Sequence, residues 1–206
     1  MDDLILQIKL IVVFLFYAIL FTSIYIYDAY VRRHDKEGVA GAFGFNQIPR
    51  GMRWMPIVAS IGGLYILGYS LLFLIHPDIQ NYYFPIRAMQ DARITILGVC
   101  LVVIGLVVIL SCQFQLGRSY RLNLPGTSTR LITTGLYAIS RNPLYLGLYM
   151  ALFGIFLMLP NWLYLFSLLF FIVNYHYKIK ILEEPFLLQQ FCDTYSDYCS
   201  RVRRYL

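Results

Sequence analysis

Residues 143–181 read PLYLGLYMALFGIFLMLPNWLYLFSLLFFIVNYHYKIKI, an apolar run with Pro160 and Asn161 at its middle. Each half approaches the ~20 residues that a helix needs to cross a hydrocarbon core of about 30 Å. Because only two residues join the halves, they are predicted to form a tight antiparallel helical hairpin. The run therefore predicts an all-α integral membrane protein.

The composition of the whole chain agrees with this prediction. Of its 206 residues, 59% are hydrophobic and 14% are charged, and the mean hydropathy is +0.64. A soluble domain carries about 25% charged residues, so this chain has too little charge for that class. Five segments approach or exceed a membrane-spanning length, and three of them precede the hairpin: residues 4–27, 55–76, 93–114, 143–159 and 162–181.

Basic residues fall almost entirely on one side of this five-helix topology. Of the 17 lysines and arginines, all except Lys9, Arg87 and Arg93 lie in or beside the segments that follow the first, third and fifth helices. Because lysine and arginine favour cytoplasmic loops, the N-terminus is predicted outside and the C-terminus in the cytosol. The net charge of +6 then reflects topology and contact with anionic lipid head groups rather than nucleic acid.

Four cysteines lie in or beside apolar helices without CxxC spacing: Cys100, Cys112, Cys192 and Cys199. Buried cysteine behaves as a small hydrophobe. The pattern therefore predicts neither a metal site nor a disulfide framework.

The fourth helix has a polar start, SRNPLYLG at residues 140–147. Pro143 suits the first helical turn, where its missing N–H costs nothing, and Ser140 or Asn142 can cap that turn. An arginine at this place has no such structural explanation. Arg141 is therefore a candidate site residue.

The fifth helix ends in ionisable residues. His176, Lys180 and Glu183 follow at spacings of four and three, which predicts one helical stripe, with Lys178 beside it. Charged groups near membrane depth are costly unless they meet each other, water or a ligand, so this end is a second candidate site. The alternative for the lysines is a snorkelling helix end.

A proline follows the acidic pair Glu183 and Glu184. Pro185 disfavours helical angles for Glu184, so the spanning helix is predicted to stop or kink there. Beyond it, apolar residues recur every three or four positions, which predicts an amphipathic helix lying at the membrane surface or over a neighbour. Those apolar positions are Leu187, Leu188, Phe191, Tyr195, Tyr198, Val202 and Tyr205.

Two regions follow from this organisation. Residues 1–113 form a scaffold of three transmembrane helices, and residues 114–206 hold the polar loop, the hairpin and the amphipathic helix. Because the fourth and fifth helices are hairpin partners, the start of one lies level with the end of the other. Arg141 and the glutamate pair are therefore predicted to form one polar pocket that faces the cytosol.

Two stretches at this pocket carry the motifs of one family: TRLITTGLYAISRNPLYLG at 129–147 and LEEPFLLQQFCDTYSDYCSRVRRYL at 182–206. They resemble the integral-membrane methyltransferases that include isoprenylcysteine carboxyl methyltransferase and the membrane phospholipid methyltransferases. The family pattern is roughly G-x-Y-x-x-x-R-[HN]-P-x-Y-x-G, a hairpin, then E-E-x-x-L-x-x-x-F-G-x-x-Y-x-x-Y. This chain departs from it at Cys192, which stands in the place of the second motif's glycine.

The resemblance implies that S-adenosylmethionine binds at the cytoplasmic end of the hairpin. The residues that would line it are Tyr137, Arg141, Asn142, Pro143, Tyr145, Leu146, Gly147, Glu183 and Glu184. Carboxylates suit the cofactor's ammonium or ribose diol, arginine suits its carboxylate, and a glycine admits the flat adenine. Methyl transfer is an in-line displacement, so positioning and water exclusion would contribute most.

The resemblance also implies a lipophilic acceptor that enters from the bilayer. The first expectation is carboxyl O-methylation of an isoprenylcysteine-like substrate, and the alternative is N-methylation of a phospholipid amine. The catalytic residues would be Arg141, Glu183, Glu184 and His176, of which His176 or Glu184 would deprotonate an amine. Lys178 and Lys180 would contact the substrate.

Two other classes of protein compete with this interpretation. Membrane sterol reductases have a distantly similar C-terminal hairpin and use NADPH, but they need more helices and further contacts for the extra phosphate. A small transporter or membrane interaction protein is the non-enzymatic alternative. Against it, the helices have no inverted repeat and no paired discontinuities.

Overall fold

The computed structural model describes residues 2–33, 50–82, 84–120 and 130–206. Its α-helices are α1 (Asp2–Arg32), α2 (Trp54–Ile75), α3 (Ala92–Leu116), α4 (Pro143–Met158), α5 (Trp162–Lys178) and α6 (Glu184–Arg201). One π-helical turn, Ile179–Glu183, joins α5 to α6. No strand occurs among the described residues, and the predicted all-α class is confirmed.

Several of these helices suit a membrane. Four helical stretches within the described ranges are long and apolar enough to cross one: Asp3–Val31, Pro56–Ile75, Ala92–Ser119 and Trp162–Arg201. Helix α4 has 16 residues, and at 1.5 Å per residue it is about 24 Å long, shorter than a full hydrocarbon core. The multi-pass membrane prediction is confirmed, whereas the orientation of the termini stays a prediction. Two basic residues used for it, Lys36 and Arg121, lie outside the described residues.

The chain forms two compact units, each built from three segments. The first unit holds residues 1–20, 54–106 and 148–174, and the second holds residues 21–53, 107–147 and 175–206. The predicted boundary between an N-terminal scaffold and a C-terminal region stays a prediction.

In the first unit, two buried residues fix the turn between α4 and α5. The Asn161 side-chain Oδ1 accepts the backbone N–H of Tyr164 at 3.0 Å, which caps the first turn of α5. The carbonyl of Pro160 accepts the N–H of Ile86, also at 3.0 Å. The Tyr164 hydroxyl donates to the Leu152 carbonyl at 3.4 Å, so the two helices are neighbours, as the hairpin prediction requires.

Helices α3 and α4 pack closely at a pair of glycines in the same unit. A Cβ built on Gly98 would lie 2.6 Å from the Gly154 carbonyl oxygen, and one on Gly154 would lie 2.5 Å from the Gly98 carbonyl oxygen. Both obstacles are backbone atoms, which cannot move without shifting a helix. Small residues are therefore required on both sides of this crossing.

The second unit has a small apolar core of its own. Val31 and Tyr120 are buried in it, and the residues packed against them are Tyr27, Leu116 and Leu144. The side-chain amide of Gln113 donates to the Tyr120 hydroxyl at 3.1 Å, which satisfies the polar tip of that ring. This core supports the first turn of α4, where the candidate site begins.

Candidate active site

Helix α4 begins at its predicted proline, and the residues before it bond to the end of the chain. The backbone N–H of Arg141 donates to the Arg203 carbonyl at 2.9 Å. The Ser140 hydroxyl and the Asn142 amide both donate to the Arg204 carbonyl, at 3.2 and 3.1 Å. Side chains that the sequence offered as helix caps therefore hold the last residues of the chain against the start of α4.

We name residues 202–206, which follow α6, the C-terminal strap. Its Arg204 donates from Nε and Nη2 to the two carboxylate oxygens of Glu184, both at 2.8 Å. Arg141 Nη1 lies 3.1 Å from the same carboxylate, and the side chains of Arg141 and Glu184 are only 13% and 17% exposed. Bidentate contacts of this kind are strong and directional. The hydrogen bond to Glu184 raises the pKa of Arg204.

Glu183 has a different set of partners. The Tyr145 hydroxyl donates to its Oε1 at 2.5 Å, and Lys178 Nζ lies 3.4 Å from that oxygen. The Tyr145 ring packs 5.3 Å from the ring of Tyr175, and the Lys178 ammonium lies 5.2 Å from the centre of that second ring. Among the described residues, Glu183 Oε2 has no hydrogen-bond partner, so it can accept a hydrogen bond from a ligand.

The π turn brings Glu183 to its partner Lys178. In π geometry, residues five positions apart share a face, and Lys178 pairs with Glu183 at this spacing. Glu184 keeps helical angles, φ −64° and ψ −45°, although Pro185 follows it. In place of the predicted stop or kink there is one widened turn, which relieves the crowding that a proline ring causes in a regular helix.

His176 and Lys180 lie apart from the glutamate contacts. His176 Nδ1 is 3.2 Å from the hydroxyl of Tyr205 in the strap. Burial raises the pKa of Tyr205, so its hydroxyl keeps its proton at neutral pH. Lys180 is exposed, whereas His176 and Glu183 are partly buried. The stripe predicted from helical spacing is thus divided by the change of register in the π turn.

A cavity of about 140 Å³ lies in the second unit beside these groups. The predicted site residues that line it are Tyr137, Arg141, Asn142, Tyr145, Glu183 and Glu184. The predicted residues outside its lining are Pro143, Leu146, Gly147, His176, Lys178 and Lys180. Residues from both family motifs therefore meet around one cavity.

Tyr137 is positioned by the short helical turn Gly135–Ala138. Gly135 has a left-handed φ of +63°, and a Cβ built on it would lie 2.6 Å from Gln115 Oε1. The same oxygen accepts the N–H of Leu136 at 3.1 Å. Glycine adopts this left-handed φ without strain and has no Cβ to collide with Gln115. Burial raises the pKa of Tyr137, so this side chain is a neutral wall of the cavity.

Several residues at the site were not singled out from the sequence. Tyr195 and Tyr198, predicted only as apolar positions of α6, are buried in the cavity wall, and the Tyr198 hydroxyl donates to the Tyr137 carbonyl at 2.6 Å. Cys199 accepts a hydrogen bond from Arg141 Nη1 at 2.8 Å. The signal for the two tyrosines was the Y-x-x-Y that closes the second motif, whereas Cys199 had none.

Two charged residues that line the cavity, Arg141 and Glu183, have hydrogen-bonding capacity left. Arg141 Nε is buried and has no hydrogen-bond partner in the described part of the chain. Leaving such a donor unpaired costs about 1–3 kcal/mol. Glu183 lines the same cavity. Together they fit a ligand that carries both a carboxylate and an ammonium.

Comparison with known families identifies the region that holds this site. Residues 94–194, about half of the chain, match one family model, described as phospholipid methyltransferase. The matched region begins in α3 and includes the whole hairpin, Arg141 and both glutamates. No curated protein matches the chain. The resemblance drawn from the two motifs is confirmed.

Proposed function

We propose, from the membership of residues 94–194 in the phospholipid methyltransferase family, that the chain transfers a methyl group from S-adenosylmethionine to a lipid acceptor in the membrane. The observation that supports it best is that Arg141, whose Nε is unsatisfied, and Glu183 line one cavity. The family match favours this reading over a sterol reductase or a transporter.

The residues of the cavity fit this cofactor. S-adenosylmethionine, when bound, supplies an electrophilic methyl group on a sulfonium. Arg141 Nε would bind its carboxylate, and Glu183 Oε2 would bind its ammonium. Glu184 contacts Arg141 through Nη1 and so acts as a positioning residue. Tyr137 and Tyr198 would exclude water from the reacting groups.

We infer that the acceptor is a phospholipid amine. A carboxylate acceptor would need a cationic side chain to bind it. Lys178 is already paired with Glu183 at 3.4 Å, and Lys180 is exposed and does not line the cavity. An amine must lose a proton before it attacks. The Tyr145 hydroxyl oxygen would take that proton while passing its own to Glu183 Oε1, with which it is already hydrogen-bonded. This pair replaces His176 and Glu184 as the proposed base.

The test is methyl transfer to a mixed lipid substrate. The purified protein is reconstituted with phosphatidylethanolamine and a farnesylcysteine analogue, supplied with methyl-labelled S-adenosylmethionine, and the labelled lipid is identified by chromatography. We expect label in the phospholipid, reduced about 100-fold or more in Arg141→Ala, in line with the loss of a preorganised charged contact. Arg201→Ala is the matched control, because Arg201 is exposed and its ion pair in the described part of the chain is with Asp197, outside the cavity.

The outcomes separate the two parts of the proposal. Label in the farnesylcysteine analogue alone would keep the methyltransferase and contradict the amine acceptor. Absence of label from both lipids, with the wild-type protein folded, would contradict the proposed function as a whole.

A further inference from the structure

A second polar cavity lies in the first unit, beside the N-terminal part of α1. Its volume is about 320 Å³. The polar residues that line it are Lys9, Gln80, Asn81, Gln90, Asp91 and Thr95. This cavity shares no residue with the candidate active site.

Lys9 is the feature of this cavity that most requires a partner. The residue is 6% exposed, and its Nζ donates to the neutral Oε1 of Gln80 at 3.0 Å. Within the described ranges, no carboxylate lies at ion-pair distance from this ammonium. A buried lysine charge is costly unless an anion balances it. Lys9 and Asp91 are the charged residues that line the cavity, and within the described ranges the Lys9 ammonium is held by the amide oxygen of Gln80 rather than by that carboxylate.

The surrounding groups favour an anion with several acceptor oxygens. The Gln90 side-chain amide donates to the Gln80 carbonyl at 3.2 Å, which keeps two amide side chains at the cavity. Asp91 Oδ1 accepts the backbone N–H of Arg93 at 2.7 Å and so caps the start of α3. The positive end of the α3 dipole then lies at the same cavity as Lys9.

The position of the cavity along α1 indicates that this anion belongs to a lipid. The span Asp3–Val31 has 29 residues, and its length of about 44 Å exceeds a hydrocarbon core of about 30 Å. Lys9, near one end, therefore lies close to the boundary between acyl chains and head groups. Ile5 and Leu6 also line the cavity, and Leu4 on the same turn is 61% exposed. A lipid can enter sideways, with its acyl chains against α1.

We propose that this cavity binds the phosphodiester head group of a membrane phospholipid, with Lys9 paired to the phosphate. The side-chain amide N–H groups of Gln80, whose oxygen accepts from Lys9, donate to the remaining phosphate and ester oxygens. The lipid bound in this way is distinct from the acceptor of methyl transfer, because none of the proposed catalytic residues lines the cavity.

Native mass spectrometry of the chain released from phospholipid nanodiscs tests the proposal. We expect one phospholipid per wild-type chain, retained in Lys9→Arg and reduced about tenfold or more in Lys9→Met. Arg33→Met is the matched control, because it removes one exposed positive charge from the other end of the same helix segment. Equal lipid retention by wild type and Lys9→Met would overturn the proposal.

A second variant and a thermal-unfolding comparison complete the test. Gln80→Leu leaves Lys9 in place and is expected to lower the retention of phospholipid. It replaces Lys9→Met if that variant does not fold. Unchanged phospholipid retention in Gln80→Leu would then overturn the proposed site. Thermal unfolding of the delipidated protein compares inorganic phosphate with a short-chain phospholipid. Equal stabilisation by the two would assign the cavity to free phosphate and contradict the lipid.

Discussion

The two units handle buried polar groups in different ways. In the first unit most of them are neutral and satisfied locally: the Ser70 hydroxyl donates to the Ile66 carbonyl at 2.8 Å, and Asn161 caps α5. In the second unit Arg141, Glu184 and Arg204 form a partly buried ion cluster. Neutral groups satisfied within a helix need no ligand, whereas a cluster of charged side chains in the wall of a cavity indicates a site. The predictions below test this difference, beginning with the largest effect.

Tyr145→Phe tests whether the charged unit is built for proton transfer. Removing the hydroxyl breaks its 2.5 Å hydrogen bond to Glu183, and loss of a general base lowers kcat by about 100-fold or more. The KM for S-adenosylmethionine should change little. Tyr177→Phe, on an exposed ring of α5, is the control in the same steady-state assay. Unchanged kcat in Tyr145→Phe would remove this residue from the mechanism.

Gly154→Ala tests whether the first unit is tightly packed where α3 and α4 cross. The new Cβ meets the Gly98 carbonyl oxygen at 2.5 Å, and overpacking of this kind costs about 1–3 kcal/mol. Gly68 is the matched control, because a Cβ there has nothing within 4 Å and alanine favours a helix by about 1 kcal/mol. Thermal unfolding in one detergent should lower the Tm of the first variant and not of the second. Equal Tm values would contradict the close crossing.

The hairpin of α4 and α5 was predictable from sequence because its determinants are side chains. Pro143 begins α4 and Asn161 caps α5, and both residues have strong positional preferences. Arg141 was singled out from the polar start of α4, and Glu183 and Glu184 from the ionisable end of α5, and the structure brings all three residues to one cavity.

The strap and the π turn were not predictable in the same way. The carbonyls of Arg203 and Arg204 bind the start of α4, and a backbone carbonyl is common to every residue, so no sequence pattern marks these bonds. Pro185 indicated a disturbed helix but not its form, because a stop, a kink and a π turn all relieve the same clash.

Arg204→Ala tests whether the strap positions the ion cluster. The Glu184 carboxylate contacts both Arg141 and Arg204, and this variant removes the second of these contacts. We expect the KM for S-adenosylmethionine to rise about tenfold, which corresponds to a loss of about 1.4 kcal/mol of binding free energy. Arg204→Lys should restore part of the affinity. The adjacent Arg203 is exposed, and its alanine variant should leave KM unchanged. Equal KM values for Arg204→Ala and Arg203→Ala would make the strap a passive segment.

Cys192→Gly gives the smallest expected effect and concerns the break within α6. Cys192 has φ +43° and ψ −121°, a region that favours glycine, and the family pattern has glycine at this position. Relief of this backbone strain should stabilise the protein by about 1 kcal/mol. Cys192→Ala removes the thiol without relieving the strain, so the Tm should rise in the glycine variant alone. A glycine variant no more stable than the alanine variant would show that the position is unstrained.

The most direct test of the account is equilibrium binding of S-adenosylmethionine and of NADPH to the detergent-purified protein, with Arg141→Ala and Arg201→Ala side by side. The account predicts saturable binding of S-adenosylmethionine, weakened about 10- to 100-fold in Arg141→Ala by the loss of a charged hydrogen bond. It predicts unchanged binding in Arg201→Ala and none of NADPH. Equal affinity of wild type and Arg141→Ala for S-adenosylmethionine, or binding of NADPH alone, would contradict it.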